Sequence, residues 1–283
     1  MLENGWFREE NESWNGQSLS LQVDKVLYVG KTMFQDVLVF RSTNYGNVLV
    51  LDGVIQATER DEFAYQEMIC HLPLMSHPNP KRVLVVGGGD GGCLREVVKH
   101  AGVETIEMVE IDQTVVDLAK RFLPNMACAF DNPRVTLHIA DGFEFLANNQ
   151  SKYDVIISDT SDPEGPAEKL FEESYFQLLS DALAPGGIVA MQASENVWLK
   201  LDILKSLQER CKNVFPTVNY ATVCVPTYTS GQLGMMICAK DPQTNLQAPA
   251  AKKHIPEDVR YYNEGIHRAS FVLPTFAKKY INN

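Results

Sequence analysis

The chain has 283 residues, of which 45% are hydrophobic, enough for one large α/β domain with a substantial core and a smaller unit. Its formal net charge is −11, and no basic stripe offsets that charge, which argues against nucleic-acid binding. An acidic chain is compatible with cationic ligands, although a solvated acidic surface is the simpler interpretation on charge alone.

The cysteines and the N-terminus indicate where the protein resides. The six cysteines are scattered and form no C-x-x-C pair, so the sequence predicts neither a zinc site nor a redox motif. They lie mostly in apolar runs, which predicts buried free thiols. The segment MLENGWFREE lacks the basic and apolar regions of a signal peptide, and no apolar run reaches the roughly 18 residues of a membrane span. We therefore expect a cytoplasmic protein that does not associate with membranes.

The first 60 residues have the pattern of short strands joined by turns. The segments LSLQVDKVLYV, FQDVLVFRS and NVLVLDGVIQAT are rich in Val, Leu and Ile with partial alternation, and NYGN and LDG are typical of hairpin turns. We predict a small N-terminal antiparallel β-sheet domain over residues 1–60. A sheet of this size is expected to pack on the main body or on another subunit.

Residues 61–283 are predicted to form a Rossmann-like catalytic domain. Its first helix should begin at Asp61, as the N-cap, and stop at Pro73. Strands and helices then alternate, which predicts right-handed βαβ units and a mostly parallel, doubly wound sheet. The strands are predicted at 83–86, 105–110, 134–139, 153–158 and 187–192, and the helices at about 92–100, 113–122, 172–183 and 199–212.

The end of the predicted sheet differs from its beginning. The strands VNYATVCVP and LGMMICAK follow each other with no helix between them, which predicts an antiparallel hairpin at the sheet edge. This α/β pattern, doubly wound and mostly parallel with a terminal antiparallel hairpin, resembles the fold of S-adenosylmethionine-dependent methyltransferases more than an NAD-binding domain. From about Asp241 onward the periodicity is too weak to predict elements.

Ligands of a doubly wound sheet bind at the carboxyl ends of its strands. The first strand of the sheet ends in GGGDGG, whose glycines allow positive φ and close approach of the backbone to a ligand. Glu110 ends the second strand about twenty residues later, where an acid binds the two ribose hydroxyls of a nucleoside. Asp141 and Gly142 follow the third strand. Asp141 could accept from an adenine amine or cap the next helix.

Three carboxylates are predicted to converge on this edge of the sheet. Asp90 lies in the glycine loop, and Asp159 and Asp162 lie in DTSDPEGP after the fourth strand. With no Lys or Arg in these loops, the carboxylates would repel one another unless cations fill the space. Asp90 would repel the carboxylate of intact S-adenosylmethionine but attract the ammonium of the decarboxylated form. A decarboxylated, cationic donor is therefore favoured.

Three other functions share part of this pattern. A diamine N-methyltransferase would use intact S-adenosylmethionine, against which Asp90 argues. An NAD dehydrogenase would explain GGGDGG and Glu110 but not DTSDPEGP. A catalytically inactive binding module on this fold would be expected to have lost Asp90 or Asp159, and both are present.

The sequence resembles the polyamine aminopropyltransferases, the family of the spermidine synthases, from about Trp14 to Lys240. The family transfers the aminopropyl group of decarboxylated S-adenosylmethionine to putrescine, giving spermidine and 5′-methylthioadenosine. The resemblance implies this reaction here, with the donor as a co-substrate and no cofactor or metal, in a homodimer joined through the N-terminal sheet. It rests on the motifs QDVLVF, LDGVIQATERDEFAYQEM, VLVVGGGDGG, VEID, DGFEF, DTSDPEGPA, QASENVWL and PTYTSGQLG.

The resemblance also implies roles for individual residues. Asp159 would be the general base, because a primary alkylammonium with a pKa near ~10 must lose a proton before it can attack. The donor-binding residues would be Gln35, Gln66, Asp90, Glu110, Asp141 and Gly142. The acceptor-binding residues would be Tyr65, Asp159, Asp162 and Tyr228.

Overall fold

The computed structural model of the chain describes residues 2–11, 14–160, 170–193, 196–251 and 253–282. Within these ranges the chain forms a six-stranded and a seven-stranded β-sheet, and helices cover the second sheet. The N-terminal antiparallel sheet and the mixed, mostly parallel second sheet agree with the fold class predicted from the sequence.

The N-terminal sheet is antiparallel throughout, and its strands lie side by side in chain order. At the LDG turn, Asp52 and Gly53 have positive φ values of 47° and 83°, as a tight two-residue hairpin turn requires. The strands are β1 (Leu2–Glu3), β2 (Trp6–Glu9), β3 (Leu19–Lys31), β4 (Asp36–Ser42), β5 (Asn47–Leu51) and β6 (Val54–Thr58).

The second sheet has the order β12–β13–β11–β10–β7–β8–β9, with β13 antiparallel to both of its neighbours and the other pairs parallel. Chain order reverses beside β7, so the switch point of the sheet lies between β7 and β10. The strands are β7 (Arg82–Gly87), β8 (Thr105–Glu110), β9 (Val135–Ile139), β10 (Tyr153–Asp159), β11 (Leu183–Gln192), β12 (Thr217–Cys224) and β13 (Gln232–Ala239).

Helices cover both faces of this sheet. Successive residues of β7 point to opposite faces, so Val83 and Val85 join one core and Leu84 and Val86 join the other. The helices are α1 (Glu62–Ser76), α2 (Gly92–Val98), α3 (Gln113–Phe122), α4 (Gly142–Ala147), α5 (Glu173–Ala182), α6 (Leu201–Val214) and α7 (Glu264–Ser270). Residues of α1 and α2 belong to the first core, and residues of α4, α5 and α6 belong to the second.

The N-terminal sheet packs against α3. Val39 of β4 and Leu49 of β5 share a buried apolar cluster with Val115 and Leu118. This contact places one face of the N-terminal sheet over the carboxyl end of β8, where α3 begins. The small sheet thereby becomes part of the wall of the predicted ligand site.

Helix α1 begins after Asp61 as predicted but differs from its prediction at its end and in the partner of the Asp61 side chain. Pro73 was expected to stop the helix, but the helix continues through it to Ser76. A proline in a helix interior costs about 3 kcal/mol, and burial of nearly the whole helix outweighs this cost because every residue of α1 except Phe63 is buried. Asp61 occupies the N-cap position without capping, because its carboxylate accepts hydrogen bonds from Thr58 and Thr227 instead.

Smaller differences concern the cysteines and the C-terminal segment. Cys128 and Cys224 are exposed, whereas the other four cysteines are buried as predicted. The segment after Asp241 contains α7, whose N-cap Asn263 accepts a hydrogen bond from the N–H of Ile266.

Within the described residues, no helix combines the length and the apolar character needed to cross a bilayer.

Candidate active site

A cavity of about 440 Å³ lies at the carboxyl ends of β7, β8 and β10. Its lining combines the glycine loop that follows β7 with residues of the N-terminal sheet, among them Leu49 and Ile55. Open α/β sheets bind their ligands at this position, beside the switch point. The cavity therefore lies where the sequence predicted a ligand site.

The glycine loop is held against the end of β10. Gly87 has a φ of 77°, and a Cβ built on it would clash with the carbonyl oxygen of Asp159, so only glycine fits there. The N–H of Gly88 donates a hydrogen bond of 2.8 Å to the same carbonyl. These contacts fix Asp159 beside the loop that carries Asp90.

Asp90 occupies the turn that leads into α2. Its Oδ1 accepts a hydrogen bond of 2.7 Å from the N–H of Gly92, and the side-chain amide of Gln66 donates to its Oδ2 at 3.1 Å. Removal from water, reinforced by the negative charge of Asp159, raises the pKa of Asp90 well above its ordinary value. A cationic ligand at this carboxylate would favour its charged form.

Asp159 ends β10 on the same wall of the cavity. The hydroxyl of Tyr65 donates to its Oδ1 at 2.6 Å, and the thiol of Cys93 lies 3.3 Å from its Oδ2. Removal from water raises the pKa of Asp159 above its ordinary value, and the hydrogen bonds from Tyr65 and Cys93 lower it in part. The carboxylate is thus held at both oxygens while it faces the cavity.

Glu110 ends β8 and faces the cavity from a buried position. Its Oε1 accepts from the N–H of Asp112 at 2.8 Å, and burial raises the pKa of Glu110 to about 7. Asp112 caps α3 by accepting from the N–H of Thr114 at 3.0 Å. Gln35 reaches this corner from the loop before β4, and its amide donates to Asp112 at 3.1 Å.

Asp141 and Gly142 line the cavity at the start of α4. Oδ1 of Asp141 accepts from the N–H groups of Phe143 at 2.7 Å and Glu144 at 3.4 Å. The sequence left open whether Asp141 caps this helix or contacts a ligand. The structure shows the cap, which also presents Asp141 to the cavity.

Tyr228 lines the cavity from the loop between β12 and β13. Its ring lies edge-on to Tyr65 with 5.8 Å between the ring centroids, and its hydroxyl donates to the carbonyl of Gln56 at 2.7 Å. The adjacent Thr227 donates through its hydroxyl and its N–H to the buried carboxylate of Asp61. The loop that carries Tyr228 is therefore fixed to the N-terminal sheet and to the start of α1.

The described lining of the cavity is acidic. Six of its side chains are carboxylates, and none is a lysine, arginine or histidine. The carboxylates are those of Glu9, Asp52, Asp90, Glu110, Asp141 and Asp159. Like charges gathered around one cavity favour the binding of cations and disfavour the binding of anions.

Comparison with known proteins identifies the family of the chain. Residues 62–248 match the family profile described as the spermine/spermidine synthase domain, and residues 5–59 match the spermidine synthase tetramerisation domain. The chain belongs to the spermine/spermidine synthase family. It is an aminopropyltransferase.

Similar proteins match this aminopropyltransferase over nearly its whole length. It is 54% identical over 286 residues to a spermidine synthase of Schizosaccharomyces pombe, covering 100% of this chain and 95% of that protein. It is 54% identical over 281 residues to a spermidine synthase of Dictyostelium discoideum, covering 99% of each. It is 52% identical over 290 residues to a spermine synthase of Saccharomyces cerevisiae, covering 99% of this chain and 97% of that protein. A spermidine synthase solved with the transition-state analogue AdoDATO superimposes with a TM-score of 0.89 at 35% identity, covering 98% of this chain and 95% of the other.

Most of the predicted site residues of the aminopropyltransferase line one cavity. Gln66 is 2% exposed and contacts Asp90 instead of lining the cavity, so its predicted contact with the donor stays a prediction. Asp162 lies outside the described residues. The residues that line the cavity are Gln35, Tyr65, Asp90, Glu110, Asp141, Gly142, Asp159 and Tyr228.

Sequence reasoning missed several lining residues of the aminopropyltransferase, among them Glu9 and Trp14. Glu9 is 2% exposed and accepts a hydrogen bond of 2.6 Å from the N–H of Ile55. Glu9 follows Phe7 by two residues in β2, and both point inward. The alternation of a strand could therefore have marked Glu9 as an acid at a core position.

Proposed function

We propose that the chain is a spermidine synthase that transfers the aminopropyl group of decarboxylated S-adenosylmethionine to putrescine. The observation that carries the proposal is the cavity lined by six carboxylates and, among the described residues, by no basic side chain. Both substrates are cations, the donor through its sulfonium and ammonium and the acceptor through two ammonium groups. The names of the relatives support the same reaction.

The donor is proposed to lie along the glycine loop. Asp90 would bind its ammonium, and the raised pKa of Asp90 would fall again once that cation is bound. Glu110 would accept from the ribose hydroxyls, and Asp141 with Gly142 would border the adenine. Intact S-adenosylmethionine would bring a carboxylate close to Asp90, where repulsion disfavours it.

Asp159 is proposed to take a proton from the attacking amine. At pH 7, deprotonating an alkylammonium costs roughly 4 kcal/mol, so a base beside the nitrogen lowers the barrier. The amine lone pair then forms a bond to the carbon beside sulfur, the C–S bond breaks, and its electron pair leaves with sulfur as a neutral thioether. The proton ends on Asp159. The sulfonium supplies the electrophile, so we expect no requirement for a metal or cofactor.

The remainder of the acceptor would lie between aromatic and acidic side chains. The edge-on rings of Tyr65 and Tyr228 offer an apolar wall for the methylene groups. Asp162 is proposed to bind the distal ammonium, and Glu9 is a further buried acid of the lining that could share this role. Aligning both substrates in this way would contribute much of the rate acceleration.

The N-terminal residues 1–60 are proposed to form a separate domain that joins subunits, with 61–283 as the catalytic domain. The family profile that matches residues 5–59 is named for tetramerisation, which supports an oligomer, and the homodimer stays a prediction. The sheet exposes apolar side chains in β3, with Val26 42% and Val29 68% exposed. We also propose a cytoplasmic location, consistent with six free cysteines.

The test is a product assay with the purified protein and a chelator present. Decarboxylated and intact S-adenosylmethionine are each offered with putrescine, cadaverine or spermidine. We expect spermidine and 5′-methylthioadenosine in equal amounts from the decarboxylated donor with putrescine. A methylated diamine from the intact donor, or no product in any combination, would refute the proposal. Spermine formed faster from spermidine would reassign the acceptor, as the similarity to a spermine synthase allows.

A further inference from the structure

The thiol of Cys93 lies between the two halves of the proposed active site. Cys93 belongs to α2 and is fully buried. Its Sγ lies 3.3 Å from Oδ2 of Asp159 and 3.1 Å from Oε1 of Gln66. The amide of the same Gln66 donates to Asp90. A chain of contacts therefore runs from the proposed donor-binding carboxylate to the proposed base.

The group at this position acts as a hydrogen-bond donor. Burial, reinforced by the adjacent thiol of Cys70 and the charge of Asp159, raises the pKa of Cys93 well above its ordinary value, so the sulfur keeps its proton. A thiol has one proton, and an ionised carboxylate is a stronger acceptor than a neutral amide oxygen. When Asp159 is charged, the proton of Cys93 therefore points to Asp159.

Asp159 is thereby held by donors from two helices. Tyr65 of α1 donates to Oδ1 and Cys93 of α2 contacts Oδ2, so the plane of the carboxylate is fixed. Each donor also stabilises the charged form over the protonated form. The titratable groups that interact electrostatically with Asp159 from the elements packed around it are Tyr65 and Cys70 of α1, Asp90 of the glycine loop, Cys93 of α2 and Glu110 of β8.

We propose that Cys93 is a positioning residue for Asp159, and that its thiol keeps this carboxylate oriented and ionised for proton transfer. The inference rests on the proposed role of Asp159 as the base. Since removal from water disfavours the charged form of Asp159, loss of the thiol proton would leave Tyr65 as the remaining described side chain that donates to the carboxylate. The protonated, inactive form of Asp159 would then persist to higher pH.

The experiment compares Cys93→Val, which replaces the thiol with methyl groups and lacks a donor, with Cys93→Ser, which keeps one. kcat/KM for putrescine is measured across pH with saturating donor. We expect the acid limb of the Cys93→Val profile to move to higher pH. At pH values on the acid side of that limb, kcat/KM should fall about three- to tenfold. At pH values above that limb, kcat/KM should remain near that of the unmodified enzyme. Cys93→Ser should return the limb to near its original position.

Two outcomes would overturn the inference. The first is a Cys93→Val profile that superimposes on that of the unmodified enzyme. The second is a loss that is uniform at every pH, as a purely structural role would produce. If Cys93→Val fails to fold by circular dichroism, Cys93→Ala provides the same comparison. Full activity in Asp159→Asn would instead refute the proposal that Asp159 is the base. If Asp159→Asn is inactive and the acid limb of Cys93→Val is unshifted, only the proposed role of Cys93 is refuted.

Discussion

The hydroxyl of Tyr65 donates a hydrogen bond of 2.6 Å to Oδ1 of Asp159 and joins the middle of α1 to the end of β10. An O–H···O distance this short is typical of a charge-assisted bond, in which the acceptor is ionised. The pair therefore offsets part of the effect by which removal from water raises the pKa of Asp159. Tyr65 thus supports the ionised base as well as bordering the acceptor.

Replacing Tyr65 by Phe should shift the pH dependence of the reaction. Without the hydroxyl the pKa of Asp159 rises, so a larger fraction is protonated at low pH and cannot accept a proton. kcat/KM should fall on the acid side and recover as the pH rises. Because the O–H bond is shorter than the S–H contact, we expect a larger shift than in Cys93→Val. A smaller shift in Tyr65→Phe would contradict this ranking, as measured in parallel pH profiles.

Asp90→Asn tests the basis of donor selection. The change keeps the shape and the acceptance from the N–H of Gly92 but removes the negative charge. We expect the KM for the decarboxylated donor to rise at least tenfold and most aminopropyl transfer to be lost. Asp117→Asn, the same change on the exposed side of α3, is the control and should leave both unchanged. Near-normal transfer in Asp90→Asn would remove the argument that this acid selects the donor.

The carboxyl ends of the strands in the second sheet were predictable because short local sequence patterns determine them. A run of apolar residues followed by GGGDGG predicts a strand and a ligand loop whatever else surrounds it. The position of Gln66 was not predictable from its motif. Adjacent helical residues point about 100° apart, and only the packed structure shows that Tyr65 lines the cavity while Gln66 contacts Asp90.

Long-range contacts explain the other differences from the sequence. Aspartate is typical of helix N-caps, but the carboxylate of Asp61 accepts a hydrogen bond from Thr227, which is 166 positions away in the chain. Proline typically ends a helix, but burial of α1 on the second sheet outweighs this preference, and the helix continues through Pro73. The contribution of Glu9 to the site depends on how the N-terminal sheet docks, which no local pattern contains.

The C-terminal segment is anchored to α1 through Glu67. This side chain is 1% exposed and accepts hydrogen bonds of 2.7 Å from three successive backbone N–H groups, those of residues 260–262. Glu67→Gln replaces one acceptor oxygen with a donor, so a buried N–H would lose its partner. We expect the free energy of unfolding to fall by about 1–3 kcal/mol in chemical denaturation.

The control for Glu67→Gln is Glu264→Gln. Glu264 forms an exposed i,i+4 ion pair with Arg268, and such pairs contribute about 0.3–0.5 kcal/mol. If the free energy of unfolding fell by the same small amount in both variants, the hydrogen bonds of Glu67 would not stabilise the protein to the extent that their burial predicts.

Assembly through the N-terminal sheet is tested with Val29→Lys. A lysine in an apolar subunit contact must lose its hydration, so the substitution should shift the molar mass from light scattering toward that of the monomer. Val272→Lys is the matched control, because Val272 is 69% exposed and Val29 is 68% exposed, but Val272 lies near the C-terminus. An unchanged mass in Val29→Lys, or a loss of assembly only in Val272→Lys, would place the subunit contact elsewhere.

The central claim is that Asp159 accepts the proton of the attacking amine, and the most direct measurement is the turnover of Asp159→Asn across pH. The amide keeps the size of the side chain but cannot take the proton, so the rate at pH 7 should fall by at least ~10²–10⁴-fold. The residual rate should rise with pH, because more putrescine is neutral as the pH approaches ~10. Donor affinity, measured by calorimetry without acceptor, should change little. Turnover within tenfold of the unmodified enzyme at pH 7, or a variant that mainly loses donor binding, would contradict the account.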